Sequence, residues 1–247
     1  MTPTDELDLS VRRAEPDDAP AIAALYTRAR LAAVPMMPPG RHTAEEDLAW
    51  LSAQLARPTH EMWLAERAGA LLGYAMIDPV WLEHLFVHAD HTGEGVGTVL
   101  LDLVKSLRPD GFSLWVFESN TGARRFYARH GLVELERTNG AANEERAPDI
   151  RMAWPGGDPQ AFYRRLTDEV DEQLAGLLAR RVALTRVVRA LRDGAGDTVG
   201  ADQRRVREIA EAMAEHAPEL GVERLARIVR TVAEESLDAA RGPADAP

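Results

Sequence analysis

Apolar positions along this chain change their period near the middle, and the change predicts two kinds of architecture in succession. Leu7 to Arg13 alternates apolar and polar residues and reads as a strand, whereas Asp17 to Ala33 repeats its apolar residues at helical spacing. Thr43 to Ala56 predicts a second helix, opened by Thr43 with Glu46 three residues on, the spacing of a capping box. Glu61 to Glu66, Leu71 to Asp78 and Trp81 to Val87 are short apolar or alternating runs joined by Gly- or Pro-containing turns, which predicts an antiparallel meander. A helix over about Gly95 to Leu107, a strand Phe112 to Phe117, a helix Ser119 to His130 and strands Leu132 to Thr138 and Ile150 to Trp154 complete a mixed α/β pattern.

Beyond Trp154 the strand period disappears. Helical patterns run over about Pro159 to Arg192, Asp202 to Glu215 and Val222 to Ala240, separated by loops holding Gly194, Gly196 and Gly200 and then Pro218 and Gly221. The cluster Trp154-Pro155-Gly156-Gly157-Asp158-Pro159 breaks one pattern before the next begins. The expected domains are therefore residues 1–155 and 161–241, with a linker at 156–160 and a disordered tail at 242–247.

At 247 residues the chain has room for two such domains, and 45% apolar with 28% charged residues excludes disorder over most of it. No apolar run approaches the length that spans a bilayer, and the acidic start is unlike a secretion signal, so a cytoplasmic address and no membrane partner are expected. The absence of cysteine excludes disulfides, thiolate metal sites and a cysteine nucleophile. A net charge of −11 argues against nucleic acid. Lys105 is the only lysine among 29 basic residues, a bias that reads first as codon usage.

Two segments carry candidate chemistry in the first part. Leu85 to Leu101 runs strand, glycine-rich turn and helix, with Gly93, Gly95 and Gly97 in the turn. Free backbone amides and the positive end of a helix dipole favour a phosphate there, although glycines can also serve only to make a tight connection. Downstream, Leu114-Trp115-Val116-Phe117-Glu118-Ser119-Asn120 leads into Ala123-Arg124-Arg125-Phe126-Tyr127-Ala128-Arg129-His130-Gly131-Leu132.

In this order and at this separation the two segments resemble the paired signatures of the GNAT acetyltransferases, over residues of about 7–154. The resemblance implies an α/β GNAT fold, a mixed and mostly antiparallel sheet with helices. It implies acetyl-CoA with its pyrophosphate on Gly93, Gly95, Val96, Gly97 and Thr98 and its pantetheine along Leu85, Phe86 and Val87. Thr92 stands where the family usually has Arg or Gln, and Asn120 is both an N-cap and a cofactor contact. Tyr127 falls where many relatives protonate the departing thiolate, a role that suits a phenol; the bland reading of Phe126-Tyr127 is core packing.

An amine acceptor must lose a proton before it attacks. Glu83 is the candidate base, since regular alternation puts it on the face of Leu85 and Val87 and apolar neighbours raise a carboxyl's pKa. His84 is second, and a water chain is the other route. His84, His88 and His91 invite a metal reading, but His84 and His88 lie about 13 Å apart on an extended strand, too far for one ion. No metal is expected. The polar run Asn143 to Asp149 is either a solvated hairpin or a place for a cationic acceptor.

In the long helix, Val170, Leu174, Leu177, Leu184, Val188 and Leu191 mark a coiled-coil-like seam whose missing step is Arg181. A guanidinium there needs an anion, either a carboxylate side chain or a ligand. Arg192 lies three turns on, about 16 Å away, nearly on the same stripe.

Residues from about Phe162 to Ala240 resemble the all-helical chorismate mutase fold through Arg164, Asp171 to Leu174, Leu177 to Arg181, Asp202 to Arg205 and Ala233 to Ser236. The resemblance implies a three-helix, all-α, intertwined homodimer. Arg164 and Arg181 are about 25 Å apart on one helix, so both serve one site only if Arg164 comes from a second copy. By carry-over Arg164, Arg181, Arg192, Asp202, Arg205 and Ser236 bind substrate, with Arg181 and Arg192 also catalytic. Val206 and Ala240 replace polar residues that the family often uses.

The expectation is a bifunctional enzyme: an acetyl-CoA-dependent N-acetyltransferase acting on an amine, joined to a domain converting chorismate to prephenate. The alternative is a monofunctional acetyltransferase whose degenerate mutase-like domain serves dimerisation or ligand sensing.

Overall fold

A computed structural model describes residues 8–192 and 199–241, without the side chains of 192, 199–202 and 241. The tail expected at 242–247 lies outside the described residues. Contacts divide the chain into two units, between Tyr163 and Arg164.

In the first unit, β1 (Ser10–Arg13), β2 (Glu61–Arg67), β3 (Ala70–Ile77) and β4 (Leu82–Val87) form an antiparallel sheet in chain order. Helices α1 (Ala19–Ala32) and α2 (Ala44–Leu55) cover one face, packing Ile22, Leu25 and Leu51 on Leu64, Tyr74 and Met76. Helix α3 (Val96–Leu107) covers the other, packing Leu100, Leu101 and Val104 on Ala75 and Ile77. With both faces covered, β3 reads as an unbroken apolar run, since each side of the pleat meets a core. Thr43 caps α2 in the expected box: its Oγ1 accepts from the Glu46 amide at 3.2 Å, and Glu46 accepts from the Thr43 amide at 2.8 Å.

The strands β5 (Phe112–Phe117), β6 (Val133–Thr138) and β7 (Asp149–Trp154) form a separate antiparallel sheet with β7 in the middle, and α4 (Thr121–Arg129) links β5 to β6. The two sheets meet at one parallel bridge, Trp81 to Ser113, beyond which β4 and β5 are unpaired edges. The sheet expected from the sequence is thus split at a wedge.

Helix α5 (Pro159–Arg192) starts after the Pro155-Gly156-Gly157 turn. Its first turn belongs with the first unit because Phe162 is buried against Gly111, where a Cβ would come within 2.5 Å of the ring.

In the second unit α6 (Val199–Ala214) packs on α7 (Gly221–Arg241), burying Ala210, Leu225, Val229 and Ser236. From Val170 onward α5 keeps its apolar stripe in solvent: Leu177 is 62% exposed and Leu184 58%.

Candidate functional site

The wedge between β4 and β5 positions the first site. After β4 the chain turns through Gly93 and Gly95, at φ of 91° and 85°, left-handed values that cost a side-chain-bearing residue strain. Gly95 caps α3 with no side chain to satisfy the first amides. The backbone amides of Gly93, Gly95, Val96, Gly97 and Thr98 make no backbone hydrogen bond among the described residues. A row of free donors at the positive end of a helix fits a pyrophosphate.

That turn closes one end of a groove of about 770 Å³, lined along its length by Leu85, Phe86, Val87, Thr92, Thr98, Asn120 and Tyr127. The open edge of β4 leaves the backbone of Leu85 and Val87 without a strand on that side, so an amide-bearing arm could pair there. Asn120 caps α4, its Oδ1 accepting from the Ala123 amide at 3.1 Å. His130, not foreseen from the sequence, also lines the groove: its Nδ1 donates to the Phe126 carbonyl at 2.8 Å, which leaves Nε2 to accept from the Thr98 hydroxyl at 3.2 Å. It lies on the far side of α4 from the glycine turn in sequence, and no local pattern links the two.

Tyr127 sits at the junction of this groove with a second cavity of about 470 Å³, and Leu85, Phe86, Asn120 and Ala123 line both. Burial alone pushes the Tyr127 phenol well above its ordinary pKa, so it keeps its proton throughout the working range.

Glu83 and His84 line the second cavity. The β3–β4 register runs from Met76–His84 to Ile77–Leu82, which leaves Glu83 as the extra residue of a β-bulge. Regular alternation requires an unbroken strand, and β4 is broken at this point. Instead, Leu82, Leu85 and Val87 all pack toward one core cluster, and the odd spacing of Leu82 is absorbed at Glu83. Burial, with Asp78 nearby, holds the Glu83 carboxyl above the usual carboxylate range.

His84 is different. Its ring stacks on Tyr26 at 5.3 Å, its Nδ1 lies 2.7 Å from the Tyr74 hydroxyl, and burial lowers its pKa to about 3. It is a neutral ring at working pH and a much weaker base than Glu83.

The run Asn143 to Asp149 is neither a free hairpin nor wholly solvated. His42 Nε2 lies 2.9 Å from Glu144, Arg30 donates to Glu145 at 2.8 Å, and Asn143 donates to Asp149 at 2.9 Å. Glu145 and Asp149, from the run already marked as a possible place for a cationic acceptor, line the cavity together with Arg30, more than a hundred residues away in sequence, which spacing did not reveal. Among the described residues no cluster of three or more His, Asp or Glu could hold a metal.

The comparisons agree with this geometry. Residues 23–132 match the Acetyltransferase (GNAT) family and residues 163–241 match Chorismate mutase type II. The chain carries a GNAT acetyltransferase domain followed by a chorismate mutase type II domain.

Among solved structures, a GCN5-related N-acetyltransferase from Rhodopseudomonas palustris is 24% identical, with 59% of this chain and 94% of that one covered at a TM-score of 0.50. Apo YjaB from Escherichia coli is 22% identical, with 60% and 99% covered at 0.50. A histone acetyltransferase HPA2-related protein from Corynebacterium glutamicum is 18% identical, with 62% and 99% covered at 0.50. These likenesses show the GNAT fold. No curated protein sequence matches the chain significantly. Acetyl-CoA is the cofactor of the GNAT family, and the glycine turn and groove fit it.

In the chorismate mutase domain Arg181 is half-buried, and its Nε is shielded from solvent with no hydrogen-bond partner. Neither it nor the exposed Arg164 makes an ion pair among the described residues. Arg205 is exposed and lies 3.5 Å from Glu208. Ser236 is buried and its hydroxyl donates to the Val232 carbonyl of its own helix. The side chains of Arg192 and Asp202 lie outside the described residues. No helix of the described residues is long and apolar enough to cross a membrane.

Proposed function

We propose that this GNAT protein is bifunctional: an acetyl-CoA-dependent N-acetyltransferase for a small amine, and a chorismate mutase that acts as a homodimer. The observation that carries the first half is the junction at Tyr127, where a groove with a phosphate-type cradle opens into a second cavity. When bound, acetyl-CoA supplies an activated acetyl thioester. The amides of Gly93 to Thr98 hold its pyrophosphate and the free edge of β4 orients its arm. Glu83 takes the proton from the amine, and the Tyr127 Oη donates one to the leaving thiolate. The cavity walls hold the amine in line and keep bulk water away.

The chorismate mutase half rests on Arg181. Chorismate to prephenate is a pericyclic rearrangement that needs no base, nucleophile or metal, only a fixed dianion and stabilised charge at the ether oxygen. A half-buried guanidinium with a shielded Nε and, unlike Arg30, no ion pair among the described residues supports a carboxylate ligand at that position. The unpartnered apolar stripe of α5 supports a second copy packed along it, which brings that copy's Arg164 to the site. Arg192, Asp202 and Arg205 complete the proposed binding set, and the cytoplasm, where acetyl-CoA is made and used, is the proposed address.

Val206 and Ala240 favour a second reading, in which this domain only dimerises or senses a related acid. One pair of assays separates them. Thiol release from acetyl-CoA with an amine panel tests the transferase. Loss of chorismate absorbance, abolished by Arg181→Ala, tests the mutase; no loss with the wild type would leave the dimerisation reading.

A further inference from the structure

The acceptor cavity has a charge pattern that acetyl transfer alone does not require. Three carboxylates line it, Glu83, Glu145 and Asp149, against one guanidinium, Arg30. Arg30 is already neutralised: its Nη2 donates to Glu145 at 2.8 Å and its Nη1 to the Tyr26 hydroxyl at 2.9 Å. Its Nε has no hydrogen-bond partner but is shielded from solvent, so within the cavity the charge of the guanidinium is met by Glu145. The guanidinium is not an open seat for an anion.

Asp149 is the opposite case. It is only 9% exposed, and its oxygens accept from the Thr138 hydroxyl and the Asn143 side-chain amide, both neutral donors. Among the described residues no arginine, lysine or histidine pairs with it. A buried carboxylate is costly without a counter-charge, and two hydrogen bonds leave part of its accepting capacity unused. Glu83 likewise makes no ion pair. Tyr26, Phe86, Trp115 and Phe117 also line the cavity and add apolar surface beside the carboxylates.

The two carboxylates are spaced along the wedge. Glu83 lies two residues past the Trp81–Ser113 bridge on β4, and Asp149 faces Phe117, four residues past it on β5. Their offset along the strand direction is therefore about 7 Å, before the splay of the strands is added. That is the scale of a diamine with a four- or five-carbon chain.

We propose that the acceptor is a primary amine carrying a second cationic group and no carboxylate, with the reacting nitrogen near Glu83 and the distal cation on Asp149. This rests on the acetyltransferase reading above and names its substrate class.

The test uses the full chain with cadaverine, n-pentylamine and lysine as acceptors, which share a pentyl-length arm and differ in charge. For the wild type, kcat/KM for cadaverine should exceed that for n-pentylamine at least tenfold, and lysine should fall below cadaverine. In Asp149→Asn the cadaverine preference should shrink to within threefold while n-pentylamine turnover persists. Equal use of the two amines, a preference for lysine, or a preference that survives the substitution would overturn the proposal.

Calorimetric titration of the same amines into wild-type protein saturated with CoA gives a readout independent of turnover and of the variant's folding. Cadaverine binding at least tenfold tighter than n-pentylamine supports the proposal, and equal binding refutes it. Selective binding without thiol release from any amine would instead refute the acetyltransferase reading and leave the cation site standing.

Discussion

Replacing Tyr127 by Phe separates a proton donor from a core aromatic with one atom. The ring is 8% exposed and meets Phe126 edge-on at 5.3 Å, so Phe keeps the shape and the packing. Burial is the sole cause of its raised pKa, and among the described residues no group hydrogen-bonds its hydroxyl, so removing that hydroxyl breaks no such bond. Stability should therefore change by less than about 1 kcal/mol, toward neutral or slightly higher, since a hydroxyl on a buried ring without a partner is a cost to the folded state. Catalysis should behave differently. A positioned acid contributes roughly 100-fold or more, so kcat should fall at least about 100-fold, near 2.7 kcal/mol of barrier. KM for acetyl-CoA should hold, because the cradle and the strand edge are untouched. The assay is thiol release at saturating acetyl-CoA with the amine that the wild type turns over fastest, beside a thermal melt of both proteins. A kcat within threefold of wild type with an unchanged melt would refute the donor assignment and return Tyr127 to packing.

Gly95→Ala places a side chain at φ of 85°, a strain of about 1–2 kcal/mol at the cradle, and should raise KM for acetyl-CoA with little change in kcat in steady-state kinetics. Transferase kcat/KM should rise with pH as Glu83 loses its proton, with a midpoint above the ordinary glutamate value because its carboxyl is raised, and Glu83→Gln should lack that limb. His84, held near 3, should add no rise above pH 5, which the Glu83→Gln profile checks. Leu100→Ala, at a fully buried position between α3 and the sheet, should cost about 2–5 kcal/mol in denaturant unfolding of the first unit. Leu177→Glu, on the exposed stripe of α5, should leave the thermal melt of the first unit unchanged and convert the proposed dimer to monomer by light scattering; a monomeric wild type or an unchanged dimer mass in the variant would refute packing along this stripe.

Elements were legible wherever one residue pattern fixed one local structure. The capping box at Thr43, the meander, and the three helices beyond Pro159 follow from spacing alone. The wedge was not legible, because nothing in the composition of β4 or β5 says that two parallel edges touch at one bridge and then part. Nor was the bulge, since Glu83 looks like an ordinary strand position until the register with Met76 and Ile77 shows that it has no partner. Glycine turns announce themselves by residue type, so the cradle was readable. The acceptor cavity draws Arg30, Glu83 and Asp149 from α1, β4 and β7, and only the fold brings such distant residues together.

The signs of the two sites show why net charge was a poor guide to what this chain binds. Its charge of −11 argues for cationic partners overall, and the acceptor cavity follows that sign, with its only lining arginine matched by Glu145. The α5 stripe runs against it: Arg181 replaces an apolar residue in the seam and finds no carboxylate among the described side chains, while Glu and Asp elsewhere in the chain pair with Arg12, Arg67, Arg108, Arg124 and Arg137. An arginine bias born of codon usage supplies guanidinium at every basic position, so the number of arginines carries no information about function. What distinguishes Arg181 is the combination of an apolar register, a shielded Nε and the lack of a counter-ion, just as what distinguishes Asp149 is burial without a cation. In both units a charge without a counter-ion, buried at Asp149 and half-buried at Arg181, is what supports the proposed ligand of opposite sign.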